Sequence, residues 1–237
     1  YKKHELGYKL FWGTGKHLGI HCGFYDSRHR NHTEAVINMN GVLARTAAIT
    51  PMSHVLDAGC GIGGSAIWLA KTFGAKVTGV NISGMQVERA KHLAQKHGVD
   101  DLVDFLIKDF SHTELADNSV DVVWGLESVC YAESKKRFVD EAYRLLRDNG
   151  RIIVADGFLR KEPLTDDEER EMRNWLDGWA VPNLASISEF RTDLEDAGFK
   201  NITFSNVTEN VMPSSRRIYY LSLPKMRSSA LCRTEHE

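Results

Sequence analysis

The chain has 237 residues, of which 26% are charged, and a formal net charge of −2. That length holds one large domain with a substantial core. The near balance of charge implies no polyanionic partner, and no apolar run is long enough to span a bilayer. No signal-peptide pattern is visible, although the chain opens at Tyr1 rather than Met. The four cysteines, Cys22, Cys60, Cys130 and Cys232, form no C-x-x-C pair or disulfide framework. That usage fits a reducing compartment, so the chain reads as cytoplasmic.

Residues 1 to about 50 are rich in Gly, His and aromatics and carry a helix over Glu34–Ala48. Pro51 then marks a boundary, because it disfavours helix in the residue before it. A strand over His54–Asp57 runs into the turn Ala58-Gly59-Cys60-Gly61-Ile62-Gly63-Gly64, and a helix follows as far as Gly74. Lys76–Ile82 is the second strand. Ser83–Lys96 is a helix whose Ser83 and Gln86 match a capping box and whose end is Gly98. Val103–Lys108 is the third strand, ending at Asp109, and Val120–Gly125 the fourth. Lys135–Arg147 is helical, with Phe138, Val139, Ala142, Leu145 and Leu146 on one stripe. After the turn Asp148-Asn149-Gly150 comes a fifth strand, Arg151–Ala155.

The rhythm then breaks. Thr165 and Glu168 make a second capping box, opening a helix that carries Met172, Trp175, Leu176 and Trp179. It reads as an insertion, at about 159–185, near the mouth of the site. Ser188–Ala197 is a further helix, ended by Gly198. Ile202–Val211 is expected as a sixth strand, and Ile218–Leu223 is the one candidate for a seventh. The tail from Lys225 to Glu237 shows no periodicity.

Alternating strands and helices predict an α/β fold, a doubly wound and mostly parallel sheet covered on both faces. Residues 1–50 form a helical lid segment and 51–237 the core. Ligands of such sheets sit beyond the carboxyl ends of the strands. Asp57, Asn81, Asp109 and Glu127 fall at or just after four of those ends.

Gly59, Gly61 and Gly64 match G-x-G-x-x-G, the pattern of dinucleotide sites. A pyrophosphate, however, wants the bare positive end of a helix, and an aspartate two residues before the first glycine repels it. S-adenosylmethionine has no phosphate; it carries an ammonium and a sulfonium, which an acidic strand tip suits. Asp57 therefore favours that cofactor over a nicotinamide dinucleotide. The rival role for Asp57 is to cap the glycine turn, and for Gln86 to look back at Ser83.

The stretches VLDAGCGIGGSAIWLA, KVTGVNIS, KDF, WGLESVCY and RLLRDNGRIIVADG resemble class I S-adenosylmethionine-dependent methyltransferases. The similarity is greatest to the small-molecule branch that includes sarcosine/dimethylglycine N-methyltransferases and tocopherol C-methyltransferases. HLGIHCGFYD resembles the histidine-rich segment with which that branch covers its cofactor. The resemblance implies a Rossmann-like fold and S-adenosyl-L-methionine as cofactor, leaving as S-adenosyl-L-homocysteine. It assigns Asp57, Gly59 and Gly61 to the methionine end and Asn81 with Gln86 to the ribose. Asp109 and Phe110 go to the adenine, with Ile82 and Leu126 as further contacts and Tyr25 closing over the top. Asn81 departs from the acid common at the second strand end; an amide still accepts and donates.

For proton removal from an acceptor the candidates are Glu127, Tyr131 and His21, in that order. The expected reaction is methyl transfer to a small amine, phenol, quinol or activated carbon. The alternatives are a non-methyl-transfer reaction such as a cyclisation, a pure binder, or an NAD-dependent oxidoreductase. No metal is expected, since His17, His21, His29 and His32 make no recognised ligand pattern. Nucleic acid is disfavoured by the lack of a basic stripe. A homodimer is left open.

Overall fold

The computed structural model describes residues 17–160 and 163–222. A helix α1 (His32–Thr46) is capped at its start by the Asn31 side chain, which accepts the Glu34 N–H. The core then reads β1 (His54–Ala58), α2 (Gly64–Phe73), β2 (Lys76–Asn81), α3 (Gly84–His97), β3 (Val103–Ile107) and β4 (Val120–Leu126). A one-turn 3-10 helix, Val129–Tyr131, precedes α4 (Lys135–Leu145) and β5 (Leu146–Ala155). Three helices follow: α5 (Asp166–Trp179), α6 (Ile187–Ala197) and α7 (Thr208–Ser222).

The five strands form one parallel sheet in the order β3-β2-β1-β4-β5. Alternate residues of each strand serve opposite faces. Val55, Val122 and Trp124 enter one core with Met39 and Leu43 of α1, Ile67 and Leu69 of α2, and Val87 and Ala90 of α3. Leu56, Val80 and Val123 enter the other with Phe138 and Leu145 of α4 and Phe190 and Leu194 of α6. The order reverses between β1 and β4, so their carboxyl ends open a crevice at the switch point.

Three sequence expectations change. The turn Asp148-Asn149-Gly150 lies within β5 as a bulge: Leu146 pairs with Val120, and Arg151 with Val122. Asn149 takes a left-handed φ of 63° there. The sixth strand does not form. Residues 202–207 run outside any ladder, with Ile202 and Phe204 packed on the α4–α6 core. At Asn206 the side chain accepts the Thr208 N–H and starts α7. From Val207 the burial stripe has helical spacing, through Val211, Ser214 and Ile218. The seventh-strand candidate from Ile218 is thus helical as far as Ser222, and Leu223, Cys232 and the tail lie outside the described residues, as do residues 1–16. β5 consequently ends the sheet among the described residues.

The capping box at Thr165 and Glu168 forms in full, and a second appears at Ser186 and Glu189. No helix among the described residues is long and apolar enough to cross a membrane. Trp124 is 0% exposed in the middle of β4. Replacing it with Ala should lower the unfolding free energy by about 3–5 kcal/mol through lost burial and a residual cavity. Denaturant midpoints checked against an unchanged m-value measure this.

Candidate active site

The glycine turn after β1 is held to β2, because the N–H groups of Gly59 and Cys60 both donate to the Val80 carbonyl at 3.0 Å. Gly59 and Gly61 have φ of 84° and 54°, conformations that side chains rarely adopt. A Cβ on Gly59 would stand 2.5 Å from Ser128 Cβ, whereas one on Gly61 would meet nothing within 4 Å. The first glycine is therefore required by packing and the second faces open space, where a ligand fits. The third member of the pattern, Gly64, is required by packing like the first: a Cβ there would lie 2.5 Å from the Leu18 carbonyl oxygen. Gly63, with φ of 81°, makes the left-handed entry to α2 instead.

Asp57 is 3% exposed. The Ala66 N–H of α2 faces its carboxyl and favours the ionised form, while Oδ2 is enclosed without a hydrogen-bond partner. Burial pushes its carboxyl up to about 7. The positive end of α2 thus already faces the Asp57 carboxylate and the Leu18 carbonyl, which disfavours a pyrophosphate. An enclosed carboxylate oxygen without a partner suits a cation.

At the β2 tip, Asn81 Oδ1 accepts the Ser83 N–H at 2.9 Å and Asn81 Nδ2 donates to Gln86 Oε1 at 2.9 Å. The capping box at Ser83 is therefore only half made. Ser83 Oγ accepts the Gln86 N–H at 3.5 Å, but the Gln86 side chain turns to Asn81. Ile82 beside them is 76% exposed. After β3, Asp109 accepts the Ser111 N–H at 2.7 Å and remains exposed. Phe110 packs edge-on to Phe138 at 5.5 Å and lies 3.6 Å from where a Gly59 Cβ would stand. Its ring is fixed beside the glycine turn.

Leu126 and Glu127 end β4. Glu127 has a left-handed φ of 48°, a strained conformation for a residue with a side chain, and its N–H donates to the Ala155 carbonyl at 2.8 Å. Glu127 Oε1 accepts the Cys22 N–H at 2.7 Å, which brings the N-terminal segment over the strand ends. Burial and the neighbouring Asp156 carboxylate raise Glu127 to about 7, against the opposing pull of the Cys22 N–H. Ser128 Oγ donates to the Ala58 carbonyl at 2.5 Å and ties the β4 tip to the β1 tip. Asp57, Gly59, Gly61, Phe110, Leu126 and Glu127 are thereby brought to one crevice.

The remaining sequence candidates sit around it. Tyr131 is 47% exposed on the one-turn helix. Tyr25 is anchored through its backbone to Asn210 of α7, its N–H donating at 2.9 Å and its carbonyl accepting Asn210 Nδ2 at 2.8 Å. Its hydroxyl points at His32 Nδ1, 3.4 Å away. His21 is 4% exposed; Nδ1 bonds the Cys22 carbonyl at 2.9 Å and Nε2 is enclosed. Burial lowers its pKa to about 4, so it is neutral at ordinary pH. The sequence reading passed over Asp156, just beyond β5. The run Ile152-Ile153-Val154-Ala155-Asp156 carries the same signal as the other four strand ends.

A methyltransferase-domain family model matches residues 56–154. The chain is 33% identical over 203 residues to 27-O-demethylrifamycin SV methyltransferase of Amycolatopsis mediterranei, covering 86% of this chain and 73% of that one. It is 31% identical over 204 residues to sterol 24-C-methyltransferase ERG6A of Gibberella zeae, covering 85% of this chain and 52% of that one. A solved structure of a putative sarcosine dimethylglycine methyltransferase from Galdieria sulphuraria aligns with TM-score 0.78 at 22% identity, over 96% of this chain and 85% of that one. The chain belongs to the class I methyltransferase family, whose cofactor is S-adenosylmethionine. It spans from about half to three quarters of the length of these curated relatives.

The residues fit that cofactor: Asp57 Oδ2 wants a cation, Gly61 borders open space, and no phosphate has to be placed at α2. Binding a cation beside Asp57 requires the ionised carboxylate, which in the free protein forms only as pH rises through about 7. Cofactor binding at pH 6 should therefore release close to one proton, and affinity should fall by up to about tenfold per pH unit below 7. Calorimetry with S-adenosylhomocysteine in two buffers of different ionisation enthalpy measures the proton, and Asp57→Asn should abolish it.

Proposed function

We propose that the protein transfers a methyl group from S-adenosylmethionine to a small-molecule acceptor that gives up a proton, and that Glu127 takes the proton. The bound cofactor supplies a methyl already activated on a sulfonium. The acceptor's nucleophilic atom forms the new bond to that methyl, the methyl–sulfur bond breaks, and S-adenosylhomocysteine leaves. The acceptor's N–H or O–H proton passes to the Glu127 carboxylate.

The observation that carries this reading is Glu127 itself. It ends β4 in a strained backbone, beside the glycine turn, with a proton affinity raised to about 7. A base of that strength is half ionised near neutrality, where general-base catalysis is most effective. Tyr131, three residues from the end of the same loop, is the second candidate to touch the acceptor. His21, enclosed within the N-terminal segment itself, fits the role of shaping that segment.

The chain from His17 to about Arg30 reads as a lid. Its Cys22 and Gly23 N–H groups bond Glu127 and Ser214 Oγ, at 2.7 and 2.9 Å. The insertion reads as the facing wall. A cleft of about 820 Å³ lies against α5, lined mostly by Leu159, Leu164, Met172, Trp175 and Leu184. Its apolar lining, rimmed by Arg160, Glu168 and Glu171, suits the body of a small organic molecule, while none of the residues gathered at the strand ends lines it. The near-neutral charge, with no strongly basic balance, supports such an acceptor over nucleic acid. Cys22, Cys60 and Cys130 are free thiols, which supports a reducing, cytoplasmic setting.

Glu127→Gln should lower kcat at neutral pH by about 10²–10⁴-fold for an acceptor that loses a proton, with cofactor affinity retained. The acidic limb of the kcat profile, centred near 7, should disappear. A screen of amines, phenols and quinols with labelled cofactor supplies the acceptor; unchanged turnover across pH in the variant removes Glu127 from the chemistry.

A further inference from the structure

We infer that Asp156 and Lys135 are the positioning pair of this site: they clamp the one-turn helix Val129–Tyr131 from opposite ends, and the negative charge of Asp156 makes Glu127 the group that holds the proton. The inference rests on the reading of Glu127 as the proton acceptor and goes beyond it to residues that touch neither cofactor nor acceptor.

The helix Val129–Tyr131 is too short to hold itself, since three residues close only one turn. Its end groups find their partners in two side chains. At the amino end, Asp156 Oδ2 accepts the Cys130 N–H at 2.9 Å, while Oδ1 accepts the Gly157 N–H at 2.8 Å. At the carboxyl end, Lys135 Nζ donates to the Cys130 carbonyl at 2.8 Å and the Ala132 carbonyl at 2.7 Å. An anion on the N–H end and a cation on the C=O end is the arrangement that a helix dipole favours. The third Lys135 donor reaches the Asn183 carbonyl at 2.9 Å, and Asn183 Nδ2 returns to the Glu133 carbonyl at 3.0 Å. One ammonium thus fixes the turn bearing Tyr131 to the chain segment that follows α5.

Lys135 is 7% exposed, and the acceptors it holds are backbone carbonyls rather than a carboxylate. A lysine is expensive to bury. For binding three carbonyls it supplies what no neutral side chain can, three donors converging from one atom. Asp156 is partly buried, and burial raises its proton affinity.

Glu127 is faced by three residues on the elements packed around it. Cys22, on the N-terminal segment, offers its N–H and thiol. Asp156 presents a carboxylate from the end of β5 and Cys130 a thiol from the turn. Among these the carboxylate of Asp156 is the group whose charge opposes ionisation of Glu127. Two carboxylates at adjacent strand tips do not readily ionise together, so a proton taken from the acceptor stabilises the pair.

The test is a direct titration of Glu127 in the full chain with S-adenosylhomocysteine bound. Side-chain carboxyl carbons of glutamate carry ¹³C, and the Glu127 resonance is assigned by its loss in Glu127→Gln. Asp156→Asn removes the charge and keeps one oxygen, enough to accept the Cys130 N–H at the cost of the bond from the Gly157 N–H. It should move the Glu127 midpoint down by about one pH unit and leave cofactor affinity within about twofold. A midpoint that does not move overturns the electrostatic half.

Lys135→Met should speed amide exchange at Cys130 and Ala132 at least about tenfold and lower kcat with little change in cofactor affinity. Lys135→Arg, which keeps the charge and the donors, should restore most of both. Equal exchange and turnover in Lys135→Met, or no rescue by Arg, overturns the clamp. If Asp156→Asn shifts the Glu127 titration but Glu127→Gln leaves turnover untouched, the catalytic reading fails. The inference alone fails if Glu127→Gln abolishes the acidic limb of kcat and Asp156→Asn leaves the Glu127 midpoint in place.

Discussion

The enclosed carboxylate of Asp57 is the constraint on which the site depends. Its place at the end of β1 is fixed by the ladder to β2 and β4 on either side. The first turn of α2 presents the Ala66 N–H to it, and Oδ2 has no partner. Desolvation of an ionised carboxylate costs several kcal/mol unless a positive group offsets it. The free protein meets that cost by favouring the protonated form, and a cationic ligand meets it by supplying charge. The glycine turn is the access route, because only residues without a Cβ leave the backbone thin enough between Ser128 and the open side of Gly61.

The same physics repeats one strand over. Glu127 and Asp156 end β4 and β5, and both have raised proton affinity because burial removes the water that would stabilise their charge. Three acids, Asp57 fully and Glu127 and Asp156 in part, are thus shielded from water at the carboxyl edge of one sheet. The first suits a cationic ligand, and the other two are the proposed holders of the acceptor's proton. That combination is what methyl transfer from a sulfonium to a protic acceptor asks of a protein, which otherwise has mainly to align and exclude water.

The N-terminal segment and α7 complete the crevice together. Gly23 and Tyr25 donate to Ser214 and Asn210, more than 180 residues away in the chain, so neither element is placed without the other. Ser214 is fully buried at that junction. A sixth strand at Ile202–Val211 would have carried these anchors elsewhere. The helix that forms instead gives the N-terminal segment a surface to rest on.

Sequence alone determined the strand–helix alternation, the parallel sheet and the four polar strand ends, because these follow from local periodicity, caps and glycine placement. The glycine turn with Asp57 was legible for the same reason: the chemistry lies within eight consecutive residues. Local rules failed at Ile202–Val211, where a short alternating run gave way to a capped helix whose stripe is completed only by packing against the N-terminal segment. They also left Gln86 between two roles, and the choice of Asn81 over Ser83 depends on a side-chain rotamer fixed in three dimensions. The raised proton affinities, the meeting of Cys22 with Glu127, and the clamp by Asp156 and Lys135 were decided by tertiary structure. Burial and charge proximity belong to residues that are close in space and 5 to 105 positions apart in the chain.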